Sequence, residues 1–126
     1  MSVTVIIISH EDIGAALIQT ATKAFEELPL PTTVVNVGND DNPEDLIDKL
    51  RMLLQKICTD AGVLILTDLY GSTPSNIAKA LQGTNTRMVS GLNLPMLIRV
   101  MNYPDLSLDE LAEKAISGGK DGVISI

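Results

Sequence analysis

The feature that most constrains the fold is a short apolar run that ends in an abrupt polar step. Residues 3–8 are nearly all apolar and mostly β-branched, and they are followed directly by Ser9 and by His10, the only histidine of the chain. Residues 62–67 form a second such run, which ends at Asp68. Strands that are apolar throughout are typical of a parallel sheet with both faces covered. These runs therefore predict a sheet buried between two layers.

Helical patterns alternate with the strands along the rest of the chain. Proline at first helical positions and a Ser107–Glu110 capping box indicate helix starts, and Gly118-Gly119 indicates a helix end. The predicted strands are residues 3–8, 32–37, 62–67, 86–90 and 121–126. The predicted helices are residues 13–25, about 43–59, 74–81, 95–101 and 108–117.

This alternation predicts a three-layer α/β/α sandwich with a mostly parallel sheet of flavodoxin-like strand order, formed by residues 1–126 as one domain. In open α/β sheets, ligands and chemistry collect at the carboxyl ends of the strands. If the first and third strands are neighbours, His10 and Asp68 come within reach of each other at that edge.

Composition and charge exclude several function classes. The formal net charge is −7, whereas a nucleic-acid-binding chain needs a basic stripe. No apolar run approaches the ~20 residues that span a bilayer. The single cysteine, Cys58, is predicted on an apolar helix face and, without a signal peptide, indicates a reducing cytoplasm. One histidine and one distant cysteine make no zinc-ligand set, and no P-loop or GxGxxG motif is present, so we expect neither a metal nor a cofactor.

His10 is the residue on which we base a chemical interpretation. A lone histidine is more often structural than catalytic, but His10 is predicted in a loop at the ligand-binding edge, beside a helix start. The positive end of a helix favours the neutral ring and stabilises an anion attached to it. A neutral ring nitrogen is a nucleophile near neutral pH. Asp68 is its natural partner, because a carboxylate that accepts one ring N–H fixes the tautomer; the alternative is an ordinary loop-capping aspartate.

Hydroxyl groups and a glycine surround Asp68 in the sequence. Thr67, Ser72 and Thr73 offer donors to a phosphoryl group, and Gly71 allows close approach of the backbone. Their alternative role is turn and cap chemistry, and we predict Thr73 as the N-cap of the third helix.

Three classes of function compete at this stage. The first is a phosphohistidine carrier that uses His10. The second is a signalling receiver phosphorylated on Asp68, but such a receiver needs a lysine at the end of the fifth strand, and Lys120 precedes the last predicted strand. The third is a flavin-binding module, for which the loop after the first strand lacks a hydroxyl-rich phosphate cradle.

Three segments, VIIISHEDIGAALIQTA, GVLILTDLYGSTPSNIA and VSGLNLPML, together resemble the IIA component of the mannose family of the bacterial phosphoenolpyruvate:sugar phosphotransferase system. The resemblance covers essentially the whole chain. It implies a flavodoxin-like fold, a homodimer, and a histidine that takes a phosphoryl group from the phosphocarrier protein HPr and passes it to a IIB component. His10 matches the phosphorylated histidine, Asp68 matches the aspartate that hydrogen-bonds to it, and Ser72 matches a serine near the phosphoryl group.

The resemblance also implies a pocket border and further partners. Residues 91–95 match a GxNxP segment, so Asn93 and Pro95, together with Ser9, are assigned to the border of the pocket. In related dimers the last strand pairs antiparallel in the partner's sheet, which residues 118–126 could do here. Because the predicted domain spans the whole sequence, we expect any IIB partner to be a separate protein. The resemblance further implies contact with the membrane only through IIC and IID components. A second reading is a phosphotransfer subunit that feeds a dihydroxyacetone kinase.

Two positions depart from the family pattern. Glu11 and Asp12 stand where many relatives carry small or less charged residues. By themselves, two acidic residues in a first helical turn are explained by the helix dipole. Their charge also lies where the phosphoryl donor would approach, so we expect an influence on partner choice.

Overall fold

The computed structural model describes residues 2–57 and 59–126, so the prediction for Cys58 lies outside the described residues. Its elements are β1 (Thr4–His10), α1 (Ile13–Phe25), β2 (Thr32–Val37), α2 (Pro43–Lys56), β3 (Val63–Thr67), α3 (Thr73–Ala80), β4 (Thr86–Ser90), α4 (Leu94–Met101) and α5 (Leu108–Asp121).

The four strands form one all-parallel sheet in the order β2-β1-β3-β4. The predicted three-layer α/β/α sandwich is confirmed, and so is the expectation that the first and third strands are neighbours. Ile8 of β1 is paired with Thr67 of β3, so both strands end at the same edge of the sheet. This register brings His10 and Asp68 together.

The sheet separates two apolar cores, which explains the continuous apolar runs. Val5 and Ile7 pack on one face with α1, α4 and α5, whereas Ile6 and Ile8 pack on the other face with α2 and α3. All four side chains are fully buried. Because successive strand residues point to opposite faces, both faces of β1 must be apolar. None of the helices in the described residues is long and apolar enough to cross a membrane.

The prediction for the secondary structure of the last residues, 118–126, is wrong. We expected a helix over residues 108–117, a stop at Gly118-Gly119 and a strand over 121–126, but α5 continues to Asp121 and residues 123–126 form neither helix nor strand. Both glycines are buried against α4: a Cβ on Gly118 would lie 2.7 Å from the Cβ of Arg99, and one on Gly119 would lie 3.0 Å from the Cε of Met96. These glycines therefore permit close helix packing and do not end the helix.

Helices α1, α2 and α5 begin where the sequence predicts, whereas α3 and α4 begin one residue earlier, at Thr73 and Leu94. The capping box of Ser107 and Glu110 is confirmed at α5. The prediction of Thr73 as the N-cap of α3 is wrong, because the N-cap is Ser72 and Thr73 is the first helical residue. Pro74 follows at the second helical position, where its missing N–H has no structural cost.

Candidate active site

His10 is the last residue of β1 and not a loop residue as expected. It pairs with Val37 of β2, and the next N–H, of Glu11, donates to the Val37 carbonyl at 3.0 Å. Glu11 then takes a left-handed φ of +45°, which turns the chain sharply into α1. The side chain of His10 is 40% exposed at this corner. The strand ladder therefore fixes the backbone of a residue whose ring remains accessible.

Asp68 holds the imidazole from the end of the neighbouring strand. Its Oδ2 accepts a hydrogen bond from Nδ1 of His10 at 2.8 Å and another from the His10 backbone N–H at 3.0 Å. Its Oδ1 accepts from the N–H of Leu69 at 3.0 Å. The Asp68 carboxylate is therefore hydrogen-bonded to both the ring and the backbone of His10, and the Leu69 N–H fixes the position of the carboxylate.

The charge state of Asp68 determines the tautomer of His10. Burial alone would raise the pKa of Asp68, but the hydrogen bonds from the His10 backbone and side chain outweigh it and lower the pKa below the usual value. An ionised carboxylate only accepts hydrogen bonds, so the proton of a neutral ring lies on Nδ1. No hydrogen bond from residues 2–57 or 59–126 reaches Nε2, which therefore keeps its lone pair.

A cavity of about 300 Å³ opens beside His10. It is lined by His10, Val37, Gly38, Asn39, Asp41, Pro43 and Thr73. Thr73 is the first residue of α3, and this helix start has no side-chain cap, because the Ser72 hydroxyl donates to the Leu69 carbonyl instead. The positive end of α3 and the hydroxyl-bearing residue Thr73 thus lie at the cavity that contains the imidazole.

The sequence reasoning missed the cavity residues Gly38, Asn39 and Asp41. They belong to the loop after β2, where Asp41 accepts a hydrogen bond from the Gly38 N–H at 2.7 Å. The signal was available, since the loop GNDDN follows a strand whose carboxyl end lies at the same edge as that of β1.

Gly71 and two of the predicted hydroxyl residues have backbone or packing roles in this structure. Thr67 is fully buried and its hydroxyl pairs with that of Ser90 at 2.8 Å. Ser9 is also fully buried, and its Oγ accepts a hydrogen bond from the N–H of Gly14 in α1 at 2.9 Å. Gly71 has a φ of +82°, a conformation that glycine adopts without strain. The hydrogen bond of the Thr67 hydroxyl therefore connects β3 to β4, and that of the Ser9 hydroxyl connects β1 to α1.

Asn93 and Pro95 do not line the cavity at His10. Asn93 is the N-cap of α4: its Oδ1 accepts from the Met96 N–H at 2.9 Å, and its Nδ2 donates to the Gly119 carbonyl at 3.1 Å. Pro95 lies on the outer side of α4, where it packs against Gly122. The expectation that they border the phosphoryl pocket stays a prediction, and within this chain Asn93 connects α4 to α5.

Groups of three or more His, Cys, Asp or Glu side chains arranged to hold a metal ion are not found among the described residues. The arrangement that is present consists of an oriented imidazole, a fixed carboxylate and a helix start. It suits transfer of an anionic group to and from a ring nitrogen.

Comparison with known proteins finds a matching family and several relatives. A sequence model of the family EIIA-man, described as "PTS system fructose IIA component", matches residues 4–116. The chain is 32% identical over 132 aligned positions to the mannose-specific EIIAB component of the PTS from Escherichia coli K12, an alignment that covers 98% of this chain and 39% of that protein. The chain therefore spans less than half of the length of that relative.

Two further relatives match over most of their own length. The fructose-specific EIIA component of the PTS from Bacillus subtilis is 32% identical over 113 positions, covering 86% of this chain and 76% of that protein. The solved structure of the mannose/sorbose-specific IIA subunit from Enterococcus faecalis superposes with a TM-score of 0.86 at 30% identity, covering 100% of this chain and 96% of that one.

Proposed function

This chain belongs to the mannose family of IIA components of the phosphotransferase system, and from that premise we propose that Nε2 of His10 carries a phosphoryl group. The phosphoryl group would come from phospho-HPr and pass to a IIB component. Membership of the family indicates a phosphocarrier role in sugar transport. The His10–Asp68 geometry supports the choice of residue and of ring nitrogen.

The observation that carries the proposal is the 2.8 Å hydrogen bond between Nδ1 of His10 and Oδ2 of Asp68. It commits one ring nitrogen to the carboxylate and leaves the other as the nucleophile. The same carboxylate is 10% exposed and engages three N–H groups, which makes it a poor phosphorylation site itself. This arrangement favours the phosphohistidine carrier over a receiver phosphorylated on Asp68.

The transfer step balances without a metal or a cofactor. The lone pair of Nε2 forms the new N–P bond as the N–P bond of the donor histidine breaks, and that electron pair returns to the donor ring. The donor ring leaves neutral when its other nitrogen is protonated. The His10 ring keeps its Nδ1 proton and becomes positively charged, and the Asp68 carboxylate neutralises that charge. Positioning and electrostatics supply the catalysis, as is usual for phosphoryl transfer.

The start of α3 is the element that we expect to receive the phosphoryl oxygens. The helix dipole places positive charge there, and Thr73 offers a hydroxyl at the cavity wall. Ser72 donates to the Leu69 carbonyl, so its hydroxyl must rotate before it can contribute. Thr67, which bonds to Ser90, acts only by holding the strands together.

The test is labelling of the full chain with phosphoenolpyruvate, enzyme I and HPr, followed by mass spectrometry. We expect one phosphoryl group on His10 that survives alkali and is lost in acid. His10→Ala should abolish labelling while circular dichroism shows an unchanged fold. Labelling that persists in His10→Ala, or a label that is lost in alkali as an acyl phosphate would be, contradicts the proposal.

We further propose that the functional unit is a homodimer joined through residues 122–126. Val123, Ile124 and Ile126 are at least 75% exposed, and β4 is one of the two edge strands of the sheet among the described residues. An apolar segment and an open strand edge are complementary, because a strand edge presents unpaired N–H and C=O groups. Light scattering should give twice the mass of one chain, and deletion of residues 123–126 should halve it. An unchanged mass after the deletion rules out this pairing.

A further inference from the structure

The cavity beside His10 offers little positive charge to a phosphoryl group. Among the described residues, its lining contains no lysine or arginine, and its one acidic side chain is that of Asp41. Protein sites that hold phosphate tightly commonly use arginine or lysine, because their charge offsets that of the phosphate oxygens. Here a phosphoryl group on Nε2 meets the start of α3 on one side and a carboxylate on another. The composition of the cavity therefore favours loose binding of the phosphoryl group.

Glu11 brings a second carboxylate to the same wall of the cavity. A Cβ built on Gly38 would lie 3.4 Å from Oδ2 of Asp41 and 3.7 Å from Oε2 of Glu11, so both carboxylates lie against Gly38. Both residues are exposed, and neither forms an ion pair with a described residue. Like charges placed side by side repel each other, and they repel any further anion that enters the cavity.

The backbone at Glu11 is strained as well. Its φ is +45°, and among residues 2–57 and 59–126 the only other residue besides glycine with a left-handed φ is Glu26, at +62°. Glycine adopts this conformation without strain, so a glutamate there lowers the stability of the fold. Glu26 follows α1, whose 13 residues span about 20 Å, whereas Glu11 directly follows the reactive histidine. Strain beside a reactive residue leads to the hypothesis that the side chain of Glu11 has a function.

We propose that Glu11 and Asp41 raise the free energy of phosphorylated His10 and so keep its phosphoryl group transferable. This inference rests on the proposed function. A phosphoryl group carries about two negative charges at neutral pH, so two carboxylates at the cavity wall repel it. The start of α3 attracts the same oxygens. The two carboxylates oppose that attraction, which prevents a carrier that must pass the group on from becoming its final acceptor.

The proposal concerns the position of an equilibrium. In the reversible step the N–P bond of phospho-HPr breaks as the bond to Nε2 of His10 forms, so the equilibrium constant compares the free energies of two phosphohistidines. A contact with the partner protein changes the forward and reverse rates by the same factor and leaves this constant unchanged. A shift in the constant is therefore a property of the phosphorylated site itself.

The test is to mix phospho-HPr, freed of enzyme I and phosphoenolpyruvate, with the unmodified chain and its variants. Intact-protein mass spectrometry at alkaline pH measures the four species at equilibrium. The equilibrium is also approached from the other side, with HPr added to chains phosphorylated by the small donor phosphoramidate. At about 25 mM ionic strength, Glu11→Gln and Asp41→Asn should each raise the equilibrium constant for phosphorylation of His10 about threefold, and the double variant about tenfold. At about 500 mM the constants should return to about the unmodified value.

Glu26→Gln is the matched control for charge, because it removes a carboxylate from the other strained glutamate. Its equilibrium constant should equal that of the unmodified protein. Glu11→Gly and Glu26→Gly should both raise the Tm by about 2 °C, since glycine relieves the strain. Of these two variants, only Glu11→Gly should also raise the equilibrium constant. A Tm that does not rise in Glu11→Gly contradicts the argument from strain.

The outcomes separate this inference from the proposed function. If phospho-HPr does not label His10, the proposed function fails and this inference fails with it. If His10 is labelled and Glu11→Gln changes the rates of transfer but not the equilibrium constant, the carboxylate acts on the approach of the partner and this inference alone is overturned. A rise in the constant that persists at about 500 mM ionic strength, or an equal rise in Glu26→Gln, overturns it too.

Discussion

The loops after β3 and β4 look alike in the sequence, but they have different roles in the structure. Each follows a parallel strand, lies at the same edge of the sheet and carries a polar side chain that connects two elements. Asp68, after β3, binds Nδ1 and the backbone N–H of His10. Asn93, after β4, binds the Met96 N–H and the Gly119 carbonyl. One residue orients a side chain, and the other joins two helices.

The difference lies in the kind of partner that each residue binds. Among the described residues, Asn93 bonds only to backbone groups of α4 and α5, which fixes these two helices to each other. The pair of His10 and Asp68 uses Nδ1 and leaves Nε2 without a bond to any described residue. A polar residue at a strand end therefore indicates chemistry when its partner is another side chain with an unused, accessible atom.

The largest expected effect is that of Asp68→Asn on transfer. An asparagine amide that turns its NH₂ group to Nδ1 makes that nitrogen an acceptor and moves the ring proton to Nε2, which then lacks a lone pair. We expect the rate of His10 phosphorylation by phosphoramidate to fall about 10³-fold. The free energy of unfolding at neutral pH should fall by at most about 1 kcal/mol. Rapid-quench labelling and denaturant titration measure the two quantities.

A control separates orientation from general disturbance of the loop. With the asparagine NH₂ group in the place of Oδ2, the Leu69 N–H keeps its oxygen acceptor and the His10 backbone N–H loses its own. The loop should stay in place through Leu69, and pairing with Val37 still fixes the backbone of His10. If labelling proceeds at the unmodified rate, the tautomer argument is wrong and the comparison between the two loops loses its basis.

Asn93→Ala should give the opposite result. It removes the N-cap of α4 and leaves the Gly119 carbonyl unpaired, which we expect to lower the free energy of unfolding by about 2 kcal/mol. The phosphoramidate rate should change less than about twofold, because Asn93 does not line the cavity at His10. Asn102→Ala is the matched control, since no hydrogen bond of the Asn102 side chain is formed within the described residues. A strong loss of labelling in Asn93→Ala would restore Asn93 to the reactive site.

Much of the fold follows from local chemistry and was predictable. Both faces of β1 and β3 are covered, so their apolar runs are continuous and easily read. Parallel strands place their carboxyl ends together, which predicted the meeting of His10 and Asp68 from the order of the strands.

The rest depended on contacts between distant segments. The helix α5 continues through Gly118 because α4 approaches too closely for a side chain there, a fact that local propensity does not contain. Sequence order likewise placed Thr67 near the site but did not show that its hydroxyl points to Ser90. Asp41 was missed because no site residue was sought in the loop after β2, although that strand ends at the same edge of the sheet as β1.

The smallest expected effect is on the pH dependence of the free energy of unfolding. It distinguishes the contact of the ionised Asp68 with His10 from the uncharged hydrogen bonds of Asn93. The pKa of Asp68 is lowered in the folded protein, so its ionised form adds stability that is fully present above the unfolded pKa of about 3.9 and is lost as the pH falls through the folded value. The difference in free energy of unfolding between the unmodified protein and Asp68→Asn should therefore shrink as the pH is lowered from about 5 to about 3. In this window carboxyl groups in general titrate and imidazoles in general do not.

The corresponding difference for Asn93→Ala should stay constant, because an amide does not titrate. Denaturant titrations of the three proteins across this window measure both differences, and equal pH dependence in the two variants would show that the carboxylate charge is not what holds His10.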